Sequence, residues 1–186
     1  FIASNNKDRV GALLFSDRVE KWIPPQRGRM HVSTMLEDIV TLKPEGRGTN
    51  IAEALRFLVG LKQGSAIVFM LSDFIDELSN MRSLLRVARL KYDCIALRVT
   101  DPCEQGLPPS IGLLDIEDIE TGKLHTINTR DLSFFEKERA QQKRIFEQQK
   151  IDVLNVTVGQ QYLPVLIRFF HHRTRRGCHR TRGSRS

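Results

Sequence analysis

Three aspartates and one threonine are the residues of this sequence whose types and spacing favour binding of a hard cation. Asp17, Asp73 and Asp101 each stand where a short apolar run ends, and Thr49 follows a Gly-Arg-Gly turn at the start of a helical pattern. If the apolar runs are neighbouring parallel strands, their carboxyl ends meet at one edge of a sheet. Carboxylate and hydroxyl oxygens suit Mg²⁺ or Mn²⁺ better than zinc. The spacing therefore predicts an oxygen-lined site for a divalent cation or a phosphate.

Each of these residues also has a purely structural interpretation. Either Thr49 or Asn50 could cap the helix that follows, which is a contribution of about 1 kcal/mol to stability. Asp73 could be a loop acid that caps the next helix, and Asp101 a turn residue before a proline. A Mg²⁺-dependent hydrolase or phosphoryl-transfer enzyme, with Asp73 or Asp76 as nucleophile or metal ligand, is a further alternative. Spacing alone leaves these alternatives open.

The elements that must position these residues alternate between strands and helices. Strand patterns cover residues 10–15, 19–23, 66–71, 94–99 and 151–158, and helical patterns cover 30–42, 51–61, 77–91, 131–150 and 163–170. This alternation predicts a doubly wound α/β fold with a mostly parallel sheet covered on both faces. The continuous apolar run at 66–71 predicts a buried strand. Residues 19–23 alternate in polarity and end at two prolines, which predicts an antiparallel edge strand paired with 10–15.

Two weaker segments complete this assignment. Residues 111–119 and 123–128 alternate in polarity on either side of a Glu-Thr-Gly turn, so they predict a hairpin appended to the main sheet. Residues 171–186 hold no aliphatic or aromatic side chain, which predicts a disordered tail. The predicted organisation is therefore one domain over 1–170 and a basic tail over 171–186.

The net charge of +7 is confined to the end of the chain. Residues 1–167 hold 22 basic and 22 acidic residues, whereas the last 19 hold seven arginines and no acid. Because residues 1–167 carry no net charge, they are unlike a domain that binds a specific nucleic acid. Association of nucleic acid with the Arg-rich tail, through phosphate contacts without sequence choice, stays open as an alternative.

Cysteine usage and hydropathy indicate a cytoplasmic protein. The three cysteines, Cys94, Cys103 and Cys178, are spaced unlike a zinc knuckle or a redox pair, and their odd number fits a reducing compartment. Cys94 falls in a strand pattern, where it would serve as a small apolar residue. No apolar run reaches the roughly 20 residues of a membrane span. The chain begins at Phe1, so we expect a fragment, and an upstream membrane anchor stays open.

Several short motifs in a fixed order resemble the bacterial family called domain of unknown function 58, a relative of the von Willebrand factor A domain. The resemblance covers about residues 1–170. The motifs are DRVGALLFSD at 8–17, PPxRGR at 24–29, KPEGRGTN at 43–50, VxxLSDF at 68–74, ALRVxDP at 96–102 and YxPxLxxFF at 162–170.

This resemblance implies a metal-ion-dependent adhesion site (MIDAS) built from three loops. Thr49 matches the second-loop threonine and Asp73 the third-loop aspartate, and Ser72 is a neighbour that could orient the site. The first loop of that site, a DxSxS motif, would lie before Phe1. We therefore expect weak or no binding of Mg²⁺ or Mn²⁺ by this chain alone, although the parent protein could bind it.

The resemblance also implies a von Willebrand factor A-like sheet that lacks its first central strand here. That strand would lie between the strands at 10–15 and 66–71, so its loss would leave unpaired edges and a poorly stable fragment. The implied function is a non-enzymatic protein–protein interaction module, an adaptor that works with a MoxR-type AAA+ ATPase. The resemblance implies no catalytic residue in this chain.

Overall fold

The computed structural model describes residues 8–62, 64–74, 81–100, 113–117, 124–128 and 133–180, with backbone alone for 113–117, 124–128, 133–139 and 174–180. These residues divide into two compact units. The first comprises the described residues within Phe1–Gly64, Asp76–Lys91 and Asp115–Ile127, and the second comprises those within Ser65–Ile75, Tyr92–Leu114 and Asn128–Ser186.

In the first unit, strands β1 (Val10–Phe15) and β2 (Val19–Gln26) pair antiparallel, as predicted. The predicted end of β2 is wrong, because the strand continues through Pro24 and Pro25. A bulge accommodates them, since Ala12 pairs with Ile23 while Val10 pairs with Gln26. A Cβ at Gly11 would lie 2.6 Å from the Ile23 carbonyl oxygen and 2.8 Å from the Pro25 nitrogen. The missing side chain of Gly11 therefore makes room for the proline pair.

Three helices belong to the same unit: α1 (Arg29–Thr41), α2 (Ile51–Gly60) and α3 (Arg82–Lys91). Helix α2 contacts both strands and α3, and it buries Ile51, Ala54 and Leu55. The ammonium group of Lys91 donates to the carbonyl oxygens of Val59, at 2.8 Å, and of Leu61. A cation thus satisfies carbonyl groups at the carboxyl end of α2, where the helix dipole favours positive charge.

The second unit is built on a parallel sheet in the order β3 (Ile67–Ser72), β4 (Asp93–Thr100) and β7 (Asp152–Thr157). The parallel pairing that we predicted is confirmed for these strands. Strand β4 lies in the centre and buries Cys94, Ile95 and Ala96. Cys94 is a buried free thiol, in agreement with its predicted role as a small apolar residue.

Residues 67–72 form a strand, but the prediction that this strand is buried is wrong. Ile67, Phe69 and Leu71 are 56%, 41% and 62% exposed, whereas Val68 and Met70 between them are half-buried. The continuous apolar run suggested cover on both faces of the strand. In the described part of the chain, β3 is instead an edge strand that packs through one face. Strands β1 and β2 likewise form a sheet of their own there, rather than the edge of the parallel sheet.

Two helices pack in the second unit, α4 (Ser133–Gln148) and α5 (Tyr162–Arg180), and both contact β7. Helix α5 extends to Arg180, into the segment 171–186 for which we predicted a disordered tail, and residues 181–186 lie outside the described residues. The guanidinium of Arg173 lies 2.6 Å from a carboxylate oxygen of Asp93 and 2.9 Å from one of Asp152. The same group stacks over the Phe169 ring at 5.7 Å. Ion pairs therefore hold this helix where an apolar stripe is missing.

Two short strands, β5 (Leu113–Glu117) and β6 (Leu124–Asn128), pair with each other, as the predicted hairpin requires. The turn predicted between them lies outside the described residues. Among the helices described, none combines the length and apolar character needed to cross a membrane.

Candidate functional site

Thr49 lies in the loop between α1 and α2, immediately before the first turn of α2. Its side chain is exposed. The helix cap is the neighbouring Asn50, whose side-chain oxygen accepts a hydrogen bond from the Glu53 backbone N–H at 3.2 Å. Of the two capping residues that the sequence offered, the structure uses Asn50. Capping therefore does not account for the threonine at position 49.

The loop that carries Thr49 is attached to the turn between β1 and β2. The Asn50 N–H donates to the Ser16 carbonyl oxygen at 2.9 Å. A carboxylate oxygen of Glu20 accepts from the Gly46 N–H at 2.8 Å and from the Ser16 hydroxyl. The hydroxyl of Ser16, the carboxylate of Glu20 and the backbone of Gly46 thus form one connected group. We call Ser16, Glu20 and Gly46 the loop anchor.

Asp17, the first of the three predicted acids, is engaged beside the loop anchor. Its carboxylate lies 3.1 Å from the Arg18 Nε and 3.3 Å from the Ser16 hydroxyl oxygen. The hydrogen bond from Arg18 is the main cause of a lowered pKa for Asp17. The hydrogen bond from the Ser16 hydroxyl is the main cause of a lowered pKa for Glu20, and the Gly46 N–H adds to it. Both carboxyl groups therefore favour the charged form.

Asp73 lies directly after β3, as predicted, and its side chain is exposed. The Ser72 hydroxyl lies 3.3 Å from an Asp73 carboxylate oxygen and accepts from the Phe74 N–H at 3.0 Å. Ser72 therefore does contact Asp73, as its position in the sequence suggested. Asp76 and Asp101, the other acids that the sequence singled out, lie outside the described residues.

The residue after Asp73 is fixed by its backbone and its ring. Phe74 has a φ of 59°, in the left-handed region that non-glycine residues seldom adopt, and it is 1% exposed. Its ring packs edge-on against Phe146 at 5.1 Å between ring centroids. The buried amide of Gln142 donates a hydrogen bond to the Phe74 carbonyl oxygen. Backbone strain held in place in this way is often found at functional loops.

Thr49 belongs to the first unit and Asp73 to the second. The two side chains offer a hydroxyl and a carboxylate, which are hard oxygen donors that fit Mg²⁺ or Mn²⁺. Mg²⁺ typically uses one or two protein carboxylates and keeps several waters. Within the described ranges, no group of three or more His, Cys, Asp and Glu side chains could hold a metal ion.

Some residues that hold these loops escaped the sequence analysis. Glu20 looked like one polar position of an alternating strand, and Gln142 like one polar residue of a polar helix. Gly46 is the one residue from which the loop anchor could have been predicted. A glycine in a loop that also holds Pro44 and Gly48 can indicate that another part of the chain packs closely against its backbone. The Nε2 of His31 lies 2.8 Å from the Val10 carbonyl oxygen and so connects α1 to β1.

A family model described as "Protein of unknown function DUF58" matches residues 1–148. The chain therefore belongs to the DUF58 family, in agreement with the resemblance carried by its motifs.

The relatives and the solved structure that resemble this chain are themselves uncharacterized. Proteins of Mycobacterium tuberculosis and Mycobacterium bovis are 30% identical to it over 124 residues, which is 66% of this chain. The chain spans 38% of the length of each of these curated relatives. A crystal structure of the conserved hypothetical protein BatB from Bacteroides thetaiotaomicron resembles it with a TM-score of 0.53. That match has 16% identity and covers 87% of this chain and 76% of the other, so it supports a shared α/β fold.

Proposed function

We propose that this member of the DUF58 family is a non-enzymatic adaptor that binds a protein partner through a divalent cation. Thr49 and Asp73 would be the cation ligands. The observation that supports this proposal is the way both side chains are presented. Each is exposed, and each stands between backbone groups that are held by hydrogen bonds. Exposed oxygen donors on fixed loops are suited to a ligand that a second protein must reach.

Asp73, Ser72 and Thr49 would each contribute differently to binding of the cation. The Asp73 carboxylate supplies negative charge, and the Ser72 hydroxyl at 3.3 Å restricts its rotation. The Thr49 hydroxyl adds a neutral oxygen. A bound Mg²⁺ or Mn²⁺ would supply an open coordination position for a carboxylate of the partner. Since this chain offers few ligands, we expect it to bind the cation weakly until a partner or other parts of the protein add oxygens.

The resemblance to the von Willebrand factor A domain supports this proposal, since it matches Thr49 and Asp73 to adhesion-site positions. On the same ground we propose a single doubly wound sheet and a MoxR-type AAA+ ATPase as the partner. The cysteine usage supports a cytoplasmic location. Among the described strands β3 pairs with β4 alone, so its other edge is compatible with an additional strand beside it.

Affinity capture with the full-length gene product as bait tests the proposal. We expect the wild type to retain a MoxR-type AAA+ ATPase in Mg²⁺, and Asp73→Asn and Thr49→Val to lose it. Glu147→Gln and Thr34→Val are matched controls, because Glu147 is an exposed residue of α4 and Thr34 is an exposed residue in the middle of α1. Removing Mg²⁺ with EDTA is a less specific test than the variants, because an AAA+ ATPase needs Mg²⁺ for its own nucleotide.

Capture that survives both loop variants would contradict a metal-bridged adaptor. Turnover of a phosphoester that Asp73→Asn abolishes would support the hydrolase instead. Nucleic-acid binding that is lost on deleting residues 171–186 would support the Arg-rich end as the functional part.

A further inference from the structure

We infer that Glu20 is a positioning residue, whose carboxylate fixes the loop that presents the Thr49 hydroxyl. This inference rests on the proposed function, because the position of Thr49 affects binding only if Thr49 is a ligand. Glu20 lies on β2 and is distant in sequence from Thr49. Its role follows from its contacts rather than from any motif.

The first step is that Glu20 attaches the loop before Thr49. One oxygen of its carboxylate accepts from the Gly46 backbone N–H at 2.8 Å and from the Ser16 hydroxyl. The same oxygen therefore joins the loop to the end of β1. Its lowered pKa keeps the carboxylate charged near neutral pH, and a charged acceptor forms the stronger hydrogen bond.

The second step is that the loop is attached again directly after Thr49. The Asn50 N–H donates to the Ser16 carbonyl oxygen at 2.9 Å, and the Asn50 side chain caps α2. Thr49 thus lies between two attachment points, Gly46 and Asn50, that both lead to Ser16. Gly48, with a φ of 94°, reverses the chain between them in a conformation that favours glycine.

The third step is that a side chain at position 46 would have to displace the side chains of Ser16 and Asp17. A Cβ there would lie 2.0 Å from an Asp17 carboxylate oxygen and 2.2 Å from the Ser16 hydroxyl oxygen. A side chain at position 46 would therefore displace the Ser16 hydroxyl from the oxygen of Glu20 that it contacts. The loop anchor thus requires a side-chain oxygen acceptor on β2 and favours a glycine in the loop.

The test compares Glu20→Leu, which removes the acceptor, with Glu20→Gln, which keeps a carbonyl oxygen for the same hydrogen bonds. Glu37→Leu is the matched control, because Glu37 is an exposed acid of α1 in the same unit. In the full-length gene product, hydrogen exchange of residues 43–50 and Mn²⁺ affinity by electron paramagnetic resonance are both measured. Thr49→Val serves as the ligand-deficient reference.

We expect Glu20→Leu to accelerate exchange of the loop amides and to weaken Mn²⁺ binding about tenfold or more, as substitutions behind metal ligands do. Glu20→Gln should restore both readouts to near wild-type values, and Glu37→Leu should change neither. Thr49→Val should weaken Mn²⁺ binding without accelerating loop exchange. That combination would separate positioning from ligation.

Unchanged loop exchange in Glu20→Leu would overturn the inference. Faster exchange with unchanged Mn²⁺ affinity would also overturn it, while a loss of affinity in Thr49→Val would leave the proposed function intact. Absence of Mn²⁺ binding by the wild type would overturn the proposed cation site, and the positioning role of Glu20 with it.

Discussion

At the scale of single residues, Phe74 combines a left-handed backbone with a ring buried against Phe146. We predict that Phe74→Ala lowers the free energy of unfolding by about 3–5 kcal/mol, because it empties a buried aromatic site. Phe69→Ala is the control, since Phe69 is 41% exposed and loses less buried surface. Urea unfolding followed by circular dichroism measures both. Equal losses in the two variants would contradict the assignment of Phe74 to the core.

The carboxylates near the β1–β2 turn give a prediction about pH. The pKa of Glu20 is lowered from its ordinary 4.5, mainly by the Ser16 hydroxyl. A group whose pKa is lower in the folded state stabilises the protein above its unfolded pKa, and this contribution disappears as pH falls through the folded value. Glu20→Gln should therefore make the loss of stability below about pH 4.5 shallower than in the wild type.

The measurement for this prediction is the thermal midpoint as a function of pH between neutral and strongly acidic solution. Glu37→Gln, at an exposed position of α1, is the matched control and should leave the profile unchanged. If the thermal midpoint of Glu20→Gln falls as steeply in acid as that of the wild type, the Glu20 charge has no stabilising role.

At the scale of elements, α5 is ordered beyond the last apolar residue of its sequence. We predict that Arg173→Ala lowers the free energy of unfolding by about 1 kcal/mol, because it removes two partly exposed ion pairs. Amides of residues 171–180 should also exchange faster with solvent. Arg168→Ala, at an exposed position of the same helix, is the control. Unchanged exchange in Arg173→Ala would show that the ion pairs do not hold the helix.

Strand β3 carries a second prediction at this scale. An edge strand with exposed apolar side chains can pair with other chains and aggregate. We predict that Leu71→Lys, at a position 62% exposed, lowers light scattering of concentrated protein without lowering the thermal midpoint. Ile95→Lys, in the buried centre of β4, should instead unfold the protein. Undiminished scattering by Leu71→Lys would argue against β3 as the aggregating edge.

The elements also show how far hydrophobic patterning reaches. It predicted the antiparallel pairing of β1 with β2 and the parallel pairing of β3, β4 and β7, because alternating strand and helix patterns limit how strands can pair. It missed the continuation of β2 past Pro24, which depends on the missing side chain of Gly11 across the strand pair. It also missed the exposure of Phe69, since a run of apolar residues does not reveal how many neighbours a sheet has.

At the scale of the whole molecule, charge is distributed unevenly along the chain. The net positive charge of the chain comes from residues after position 167. One of these, Arg173, is part of the folded structure, because it forms ion pairs with Asp93 and Asp152. Composition alone could not separate structural arginines from solvent-exposed ones. The residues of the candidate site likewise differ in whether the sequence alone reveals them. Thr49 and Asp73 were identified from sequence through family motifs, whereas Glu20 required coordinates, because hydrogen bonds between distant residues leave no local pattern.

The central claim is that Thr49 and Asp73 serve the same cation, and a double-mutant cycle of Mn²⁺ affinity in the full-length gene product tests it most directly. We predict that Thr49→Val and Asp73→Asn each weaken Mn²⁺ binding about tenfold or more, and that the double variant falls short of the sum of the two losses in free energy. Residues that share one ligand are coupled in this way. Full affinity in either single variant, or strictly additive losses, would contradict the claim.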